Sequence, residues 1–97
     1  MANPKHVEII KQGTDAISEW QEANPEEYLD LEGADLSELD LIGAKIRGAN
    51  LKGADLTDTK LTNSTLAKSN LEGANLTRSD LARASLADTN CDGADLT

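Results

Sequence analysis

Apolar side chains recur at every fifth position through most of this chain. An α-helix repeats every three to four residues and a strand every two, so neither element alone produces a period of five. The pattern predicts a short strand and a corner in each repeat, so the chain must coil. The fourteen positions of the series are Leu31, Leu36, Leu41, Ile46, Leu51, Leu56, Leu61, Leu66, Leu71, Leu76, Leu81, Leu86, Cys91 and Leu96.

A small residue stands two positions before nearly every member of this series, as Ala34, Ala54 and Ala74 do. Alternation at period two is typical of a strand whose inward side chains fill a narrow interior. The residue between them faces water and is polar, as at Asp35 and Asn70. We therefore expect an interior of leucine and alanine that is packed too closely for a pore or a ligand cavity.

A longer period of 20 residues gives the number of sides. The segments 31–37, 51–57, 71–77 and 91–97 resemble one another more than they resemble the segments between them. Five residues per side then make a square coil. Fourteen repeats make about three and a half coils, and strands about 4.8 Å apart make a rod ~17 Å tall.

The corners of the square differ in sequence. Glycine occupies one of them in successive coils, at Gly33, Gly53 and Gly73, where a type II turn with positive φ favours it. Lys68 and Arg83 stand at other corners and tolerate positive φ less readily, so we expect a different turn geometry there.

The repeated A-(D/N)-L-x-x unit resembles the pentapeptide-repeat proteins over residues 29–97. The resemblance implies an all-β solenoid, a right-handed quadrilateral β-helix. Bacterial members often begin with a segment like IIKQGTDAISEW, which lies before the first coil here. The departures are the units TKLTN and STLAK, Leu29 and Leu39 at small positions, and Cys91 at a leucine position.

Asn3 and Pro4 are a helix-start pair, and Asn24 and Pro25 end the segment between them. A helix of about five turns is predicted, with an apolar stripe that covers the top of the first coil. A coiled coil or a membrane contact are the alternatives for that stripe. Residues 1–27 are then a capping helix and linker, and residues 28–97 are the β-helix. The stripe contains Val7, Ile10, Ile17 and Trp20, and Ile42 is an outward apolar residue that packs under the helix or marks a contact.

Composition alone borders on that of a disordered chain, because Leu, Ile and Val make up 20 of 97 residues and the net charge is −9. The unbroken periodicity overturns that interpretation. The chain start lacks the layout of a secretory signal and has no long apolar run, so a cytoplasmic protein is the default expectation. Cys91 has no partner cysteine and is expected to be a buried, small hydrophobic residue.

The final coil is expected to be open at its lower end, where unpaired backbone groups and inner leucines invite another chain. We predict association there, as a two-fold homodimer or with another pentapeptide-repeat chain stacked end to end. A frayed terminus, or a chain cut from a longer protein, is the alternative. The association residues are Leu81, Leu86, Cys91 and Leu96.

Charge is uneven around the square. One side carries a net charge of −4 from Asp35, Glu38, Asp55, Asp58, Asp95 and Arg78, and the opposite side carries +2 from Lys45, Arg47, Lys68 and Asp88. The acidic face could steer a basic protein, although solvation of the rod also accounts for it. Some pentapeptide-repeat proteins imitate DNA and protect DNA gyrase, which is the alternative function. A duplex ~17 Å long carries about ten charges, well above four, which argues against mimicry.

No catalytic apparatus is recognisable, and no cofactor, metal, nucleic-acid or membrane site is expected. His6 is predicted to be a solvated surface residue, and the outward carboxylates form regular columns from which no acid–base pair stands apart. The sequence therefore predicts a scaffold or protein-interaction module and indicates no biological process.

Overall fold

The structure, a computed structural model, describes residues 2–97. Two helices come first, α1 (Pro4–Lys11) and α2 (Thr14–Ala23). A solenoid follows, in which parallel bridges join residues that are 20 apart in sequence, from Asp30↔Asn50 to Asn75↔Asp95. Four bridges occur in each coil, so the coil is four-sided, as the period of 20 predicts.

Each bridge is one residue long, and no longer strand occurs within residues 2–97. The alternating pattern therefore gives bridges where we expected short strands. The reason is geometric, because a side of five residues must also contain a corner and leaves one residue to pair with the coil on either side. The backbone hydrogen bonds run between coils, as from the Leu31 amide to the Asn50 carbonyl at 2.8 Å.

The corners share one backbone conformation, and the expected difference between glycine and non-glycine corners is wrong. From Gly33 to Gly93 the third turn residue has φ between 56° and 74°, and seven of these residues are not glycine. Most corners are closed by a backbone hydrogen bond between residues three apart in sequence, as from the Ala34 amide to the Leu31 carbonyl at 3.0 Å. Positive φ at the third position is that of a type II turn. Stacking imposes this conformation on Lys68 and Arg83 despite the strain that it places on a side chain with a Cβ.

The apolar series forms the core in the upper coils. Its members from Leu31 to Leu76 are buried, together with Ala44, Ala54 and Ala74 at small positions. Members in the last coil are less covered, since Leu81 is half-buried and no coil lies below it within the described residues. The expected leucine and alanine interior is confirmed for the upper coils.

The N-terminal segment forms two helices where one helix of about five turns was expected. Asn3 caps α1, since its side chain accepts a hydrogen bond from the Lys5 amide at 2.9 Å. Gly13 separates the helices with φ of 107°, a conformation that ends α1. Ile10 and Ile17, one from each helix, are buried in the same cluster as the coil leucines. Neither helix of the described chain is long and apolar enough to cross a bilayer.

Candidate functional site

The helices are attached to the first coil through the backbone of Asp30. The Asn3 amide donates to the Asp30 carbonyl at 2.9 Å, and the Asp30 amide donates to His6 Nδ1 at 2.8 Å. His6 also meets the Trp20 ring edge to face, with 4.9 Å between ring centroids. His6 is thus a half-buried hydrogen-bond acceptor, which corrects its prediction as a solvated residue.

The lower edge of the solenoid, residues 81–97, is the first candidate surface. In upper coils, amides at the leucine and corner positions donate to the coil below, as Leu61 and Asn63 do at 2.8 and 2.9 Å. In the lower edge the equivalent amides have no acceptor within the described chain. These are the amides of Leu81, Arg83, Leu86, Asp88, Cys91 and Gly93.

The predicted association residues lie along this edge. Leu81, Leu86 and Cys91 are half-buried, and Leu96 is 54 % exposed. Cys91 is a free thiol that is less covered than the buried position we expected, because no coil lies beneath it among residues 2–97. The four side chains and the unpaired amides all belong to residues 81–97.

The predicted acidic face is a second surface, and bridges stack Asp35, Asp55, Asn75 and Asp95 into one column. The side chain of each of these residues accepts hydrogen bonds from the residue two positions later in the chain. Asp35 accepts hydrogen bonds from the Ser37 hydroxyl at 2.7 Å and the Ser37 amide at 3.1 Å. These bonds hold the pKa of Asp35 below its usual value, and the Thr97 hydroxyl and amide lower the pKa of Asp95 in the same way.

Two further acidic-face residues stand at corners. Glu38 is exposed, whereas Asp58 is paired with Arg78 of the coil below through contacts of 2.9 and 3.1 Å. The hydrogen bond from Arg78 lowers the pKa of Asp58. The pair places the one positive charge of this face at Asp58 and leaves its net charge at −4, as counted from the sequence.

A third surface lies on the opposite side, which sequence analysis described only by its charge. Tyr28, in the segment between α2 and the coil, is 65 % exposed and rests on the corner glycine Gly48. A Cβ on Gly48 would stand 2.5 Å from the tyrosine Cδ1, so a side chain there would displace the ring. Tyr28, Arg47, Gly48 and Lys68 line a groove of about 320 Å³, the Tyr28 groove.

A buried hydroxyl holds the Gly48 corner from inside. Ser69, one coil below Ala49, accepts a hydrogen bond from the Ala49 amide at 3.1 Å and donates one to the Ile46 carbonyl at 2.9 Å. The hydroxyl thus takes the place of the direct bond that closes most other corners. Ser69 stands two positions before Leu71, at one of the small positions of the repeat, and a serine where alanine stands one coil above, at Ala49, was the available signal in the sequence.

The described residues hold no group of three or more His, Cys, Asp or Glu side chains that could ligate a metal ion. The three surfaces supply unpaired backbone groups, carboxylates, cations and one aromatic ring. These groups can form hydrogen bonds, ion pairs and aromatic contacts.

Comparisons with known proteins bear on the repeat. A family model described as pentapeptide repeats matches eight copies over residues 29–63 and 64–97. A comparison with curated proteins gives no match. Among solved structures, a pentapeptide repeat protein from the cyanobacterium Cyanothece 51142 is 34 % identical, with a TM-score of 0.66, over 73 % of this chain and 52 % of its own.

Two other solved pentapeptide repeat proteins are similar. The one from Nostoc Pcc 7120 is 29 % identical over 84 % of this chain and 74 % of its own, with a TM-score of 0.48. The one from the Arabidopsis thaliana thylakoid lumen is 31 % identical over 70 % of this chain and 51 % of its own, with a TM-score of 0.40. This chain spans about half the length of the Cyanothece and Arabidopsis proteins. The family match covers most of the residues, and by it this chain belongs to the pentapeptide repeat family.

Proposed function

We propose that this chain is a non-catalytic scaffold that associates with a second copy of itself through the lower edge. The observation that carries the proposal is the row of unpaired amides in residues 81–97, whose equivalents one coil higher all donate to a neighbouring coil. A second copy supplies the missing acceptors. Leu96, 54 % exposed, and the half-buried Leu86 supply apolar area to the same contact.

A two-fold arrangement fits this edge, because both copies then use the same residues and the assembly closes as a dimer. Heterologous stacking onto an end of different sequence would need a second unpaired edge. The upper end is a poorer candidate for it, since Ile10 and Ile17 of the two helices are buried against the coil there.

The handedness of the solenoid and its number of coils are also part of the proposal. We take the solenoid to be a right-handed quadrilateral β-helix of about three and a half coils, supported by the likeness to the Cyanothece protein and by bridges at intervals of 20 residues. In this proposal the helices cap the upper end of the solenoid. The lower edge is then the end at which the coils of a second copy stack.

The non-catalytic part of the proposal is supported by how the polar groups are engaged. His6 Nδ1 accepts the Asp30 amide, and Asp35 accepts both groups of Ser37. Groups held in this way maintain the fold and are not directed towards a substrate. DNA mimicry gains no support from the structure, because the pairing of Asp58 with Arg78 leaves the net charge of the acidic face at −4. A basic partner on the acidic face stays a prediction.

Sedimentation equilibrium tests the association. The wild-type chain is expected to be a dimer at high concentration, and Leu96→Asp is expected to be a monomer because charge at the contact must be desolvated. The matched control is Ile42→Asp, an exposed apolar residue of the first coil (47 % exposed), which should leave the dimer intact. A wild-type monomer at every concentration, or equal effects of the two substitutions, would exclude the proposal.

A further inference from the structure

The Tyr28 groove places two cationic side chains, Arg47 and Lys68, beside an exposed aromatic ring. Arg78 and Arg83 bond to side chains one coil above them, to Asp58 and to Asn63 respectively, both at 2.9 Å. Arg47 and Lys68 make no ion pair and no side-chain hydrogen bond within the described residues. Their cationic groups are therefore available to a ligand.

The columns of the solenoid explain this difference. Lys60 bridges to Asp40 of the coil above and to Asp80 of the coil below, so a carboxylate stands on either side of it in its column. Arg47 stands one coil above Ala67, and Glu27, twenty residues before Arg47, lines the adjoining cavity with it. Lys68 has Asp88 below it and Gly48 above it. The positive charge is thus concentrated at the upper part of this side, beside Tyr28.

The groove is also held in place before any ligand arrives. Its floor is Gly48, which the Ser69 hydroxyl bridges from inside through Ala49 and Ile46. Its wall is the Tyr28 ring, which lies against Gly48 and is still 65 % exposed. Tyrosine and arginine are among the residue types that contribute most of the binding energy at protein interfaces, and the groove places one of each side by side.

We propose that the Tyr28 groove binds a short acidic segment of a partner protein. Carboxylates of the segment pair with Arg47 and Lys68, and a flat apolar side chain beside them packs on the Tyr28 ring. The four residues that line the groove include no carboxylate. Glu27 lines the adjoining cavity, where Lys45 and Arg47 supply two positive charges against its one negative charge.

A short segment suits the charge of the whole molecule better than a long polyanion does. The net charge is −9, and a nucleic acid that extends beyond the groove would reach the acidic sides. A peptide with a few carboxylates stays within about one screening length of the groove, which is roughly 10 Å at 0.1 M salt. The site is separate from the lower edge, so binding should persist in the Leu96→Asp variant.

The test is a titration of the ¹⁵N-labelled full chain with an acetylated peptide Glu-Glu-Phe-Glu-Glu. Amide shifts are expected at Arg47, Gly48 and Lys68, and the affinity should fall as salt is raised. The double variant Arg47→Glu/Lys68→Glu should bind about tenfold more weakly or worse, since two attractive contacts become repulsive. Tyr28→Ala should also weaken binding, by less.

The matched control is Lys52→Glu, because Lys52 is an exposed lysine with Glu32 above it and Glu72 below it, away from the groove. It should leave the affinity within about twofold of wild type. Lys-Lys-Phe-Lys-Lys should cause no shifts at the groove. The proposal is overturned if the acidic peptide causes no shifts, if Lys52→Glu weakens binding as much as the double variant, or if an oligothymidylate shifts the groove amides at lower concentration than the peptide.

Discussion

Buried hydroxyl groups close some corners of this solenoid from inside. Ser69 bridges the Ala49 amide and the Ile46 carbonyl, and the buried Thr59 hydroxyl donates to the Leu36 carbonyl at 2.9 Å. A small polar residue at an inward position is therefore acceptable because its hydroxyl donates a hydrogen bond to a carbonyl of the coil above or, as at Ser64, of its own corner. Polar residues at these positions contribute hydrogen bonds that alanine cannot provide.

Ser69→Ala should destabilise the chain by about 1–3 kcal/mol, because it leaves a buried amide and a buried carbonyl without partners. Urea denaturation followed by circular dichroism measures this loss. Ser85→Ala is the control, since Ser85 is exposed on the outside of the coil, and it should change stability by less than about 0.5 kcal/mol. Equal effects of the two substitutions would show that the Ser69 bridge is not made.

Ser37→Ala should raise the pKa of Asp35 towards the ordinary aspartate value of about 3.9, because the largest cause of its lowering is the Ser37 hydroxyl. Carboxyl ¹³C shifts measured against pH test this, with the pKa of Asp95 as an internal control that should not move. A pKa of Asp35 that is unchanged by the substitution would contradict the hydrogen bond.

The sign of the resulting pH dependence follows from the direction of these shifts. A folded-state pKa below the unfolded one favours the folded chain above the unfolded pKa, and that contribution is lost as pH falls through the folded pKa. Asp35, Asp58 and Asp95 all have lowered pKa values, so acid below about pH 4 should weaken the wild type more than Ser37→Ala.

Among the elements, the N-terminal helices show how far sequence reasoning reached. The stripe with Ile10 and Ile17 predicted the buried face, and both residues are buried. The break was missed although Gly13 stands inside the helical pattern, where glycine carries a conformational cost. The corners were misjudged for another reason. Local preference disfavours positive φ at Lys68 and Arg83, but the closure of a four-sided coil requires it.

His6→Ala should loosen the helices from the first coil. The substitution removes the acceptor of the Asp30 amide and the ring that contacts Trp20. We therefore expect the free energy that holds the helices on the coil to fall by about 1–3 kcal/mol. The readout is faster hydrogen exchange in α1 and α2 with unchanged exchange at Leu61. Glu8→Ala, at an exposed position of α1, is the control. Unchanged exchange in both helices of His6→Ala would contradict the attachment through Asp30.

At the scale of the whole molecule, the period of 20 predicted which residues share a column, including Asp35, Asp55 and Asp95. The contact of Tyr28 with Gly48 could not be predicted, since it depends on the path of the segment that joins α2 to the coil. The pairing of Asp58 with Arg78 could have been predicted from the sequence, because residues that are 20 apart are neighbours in adjacent coils. Columns and the buried face of the helices can thus be predicted from the sequence, whereas an individual contact of the joining segment with the coil, such as that of Tyr28 with Gly48, cannot.

The proposed association rests on the row of unpaired amides at the lower edge. Residue-resolved hydrogen exchange at low and high protein concentration tests this claim directly, with Leu61 and Asn63 as internal references that donate within the chain. The account predicts that protection at Leu81, Leu86 and Cys91 rises with concentration while the references stay constant. Exchange at those amides that is equally fast at every concentration would contradict it.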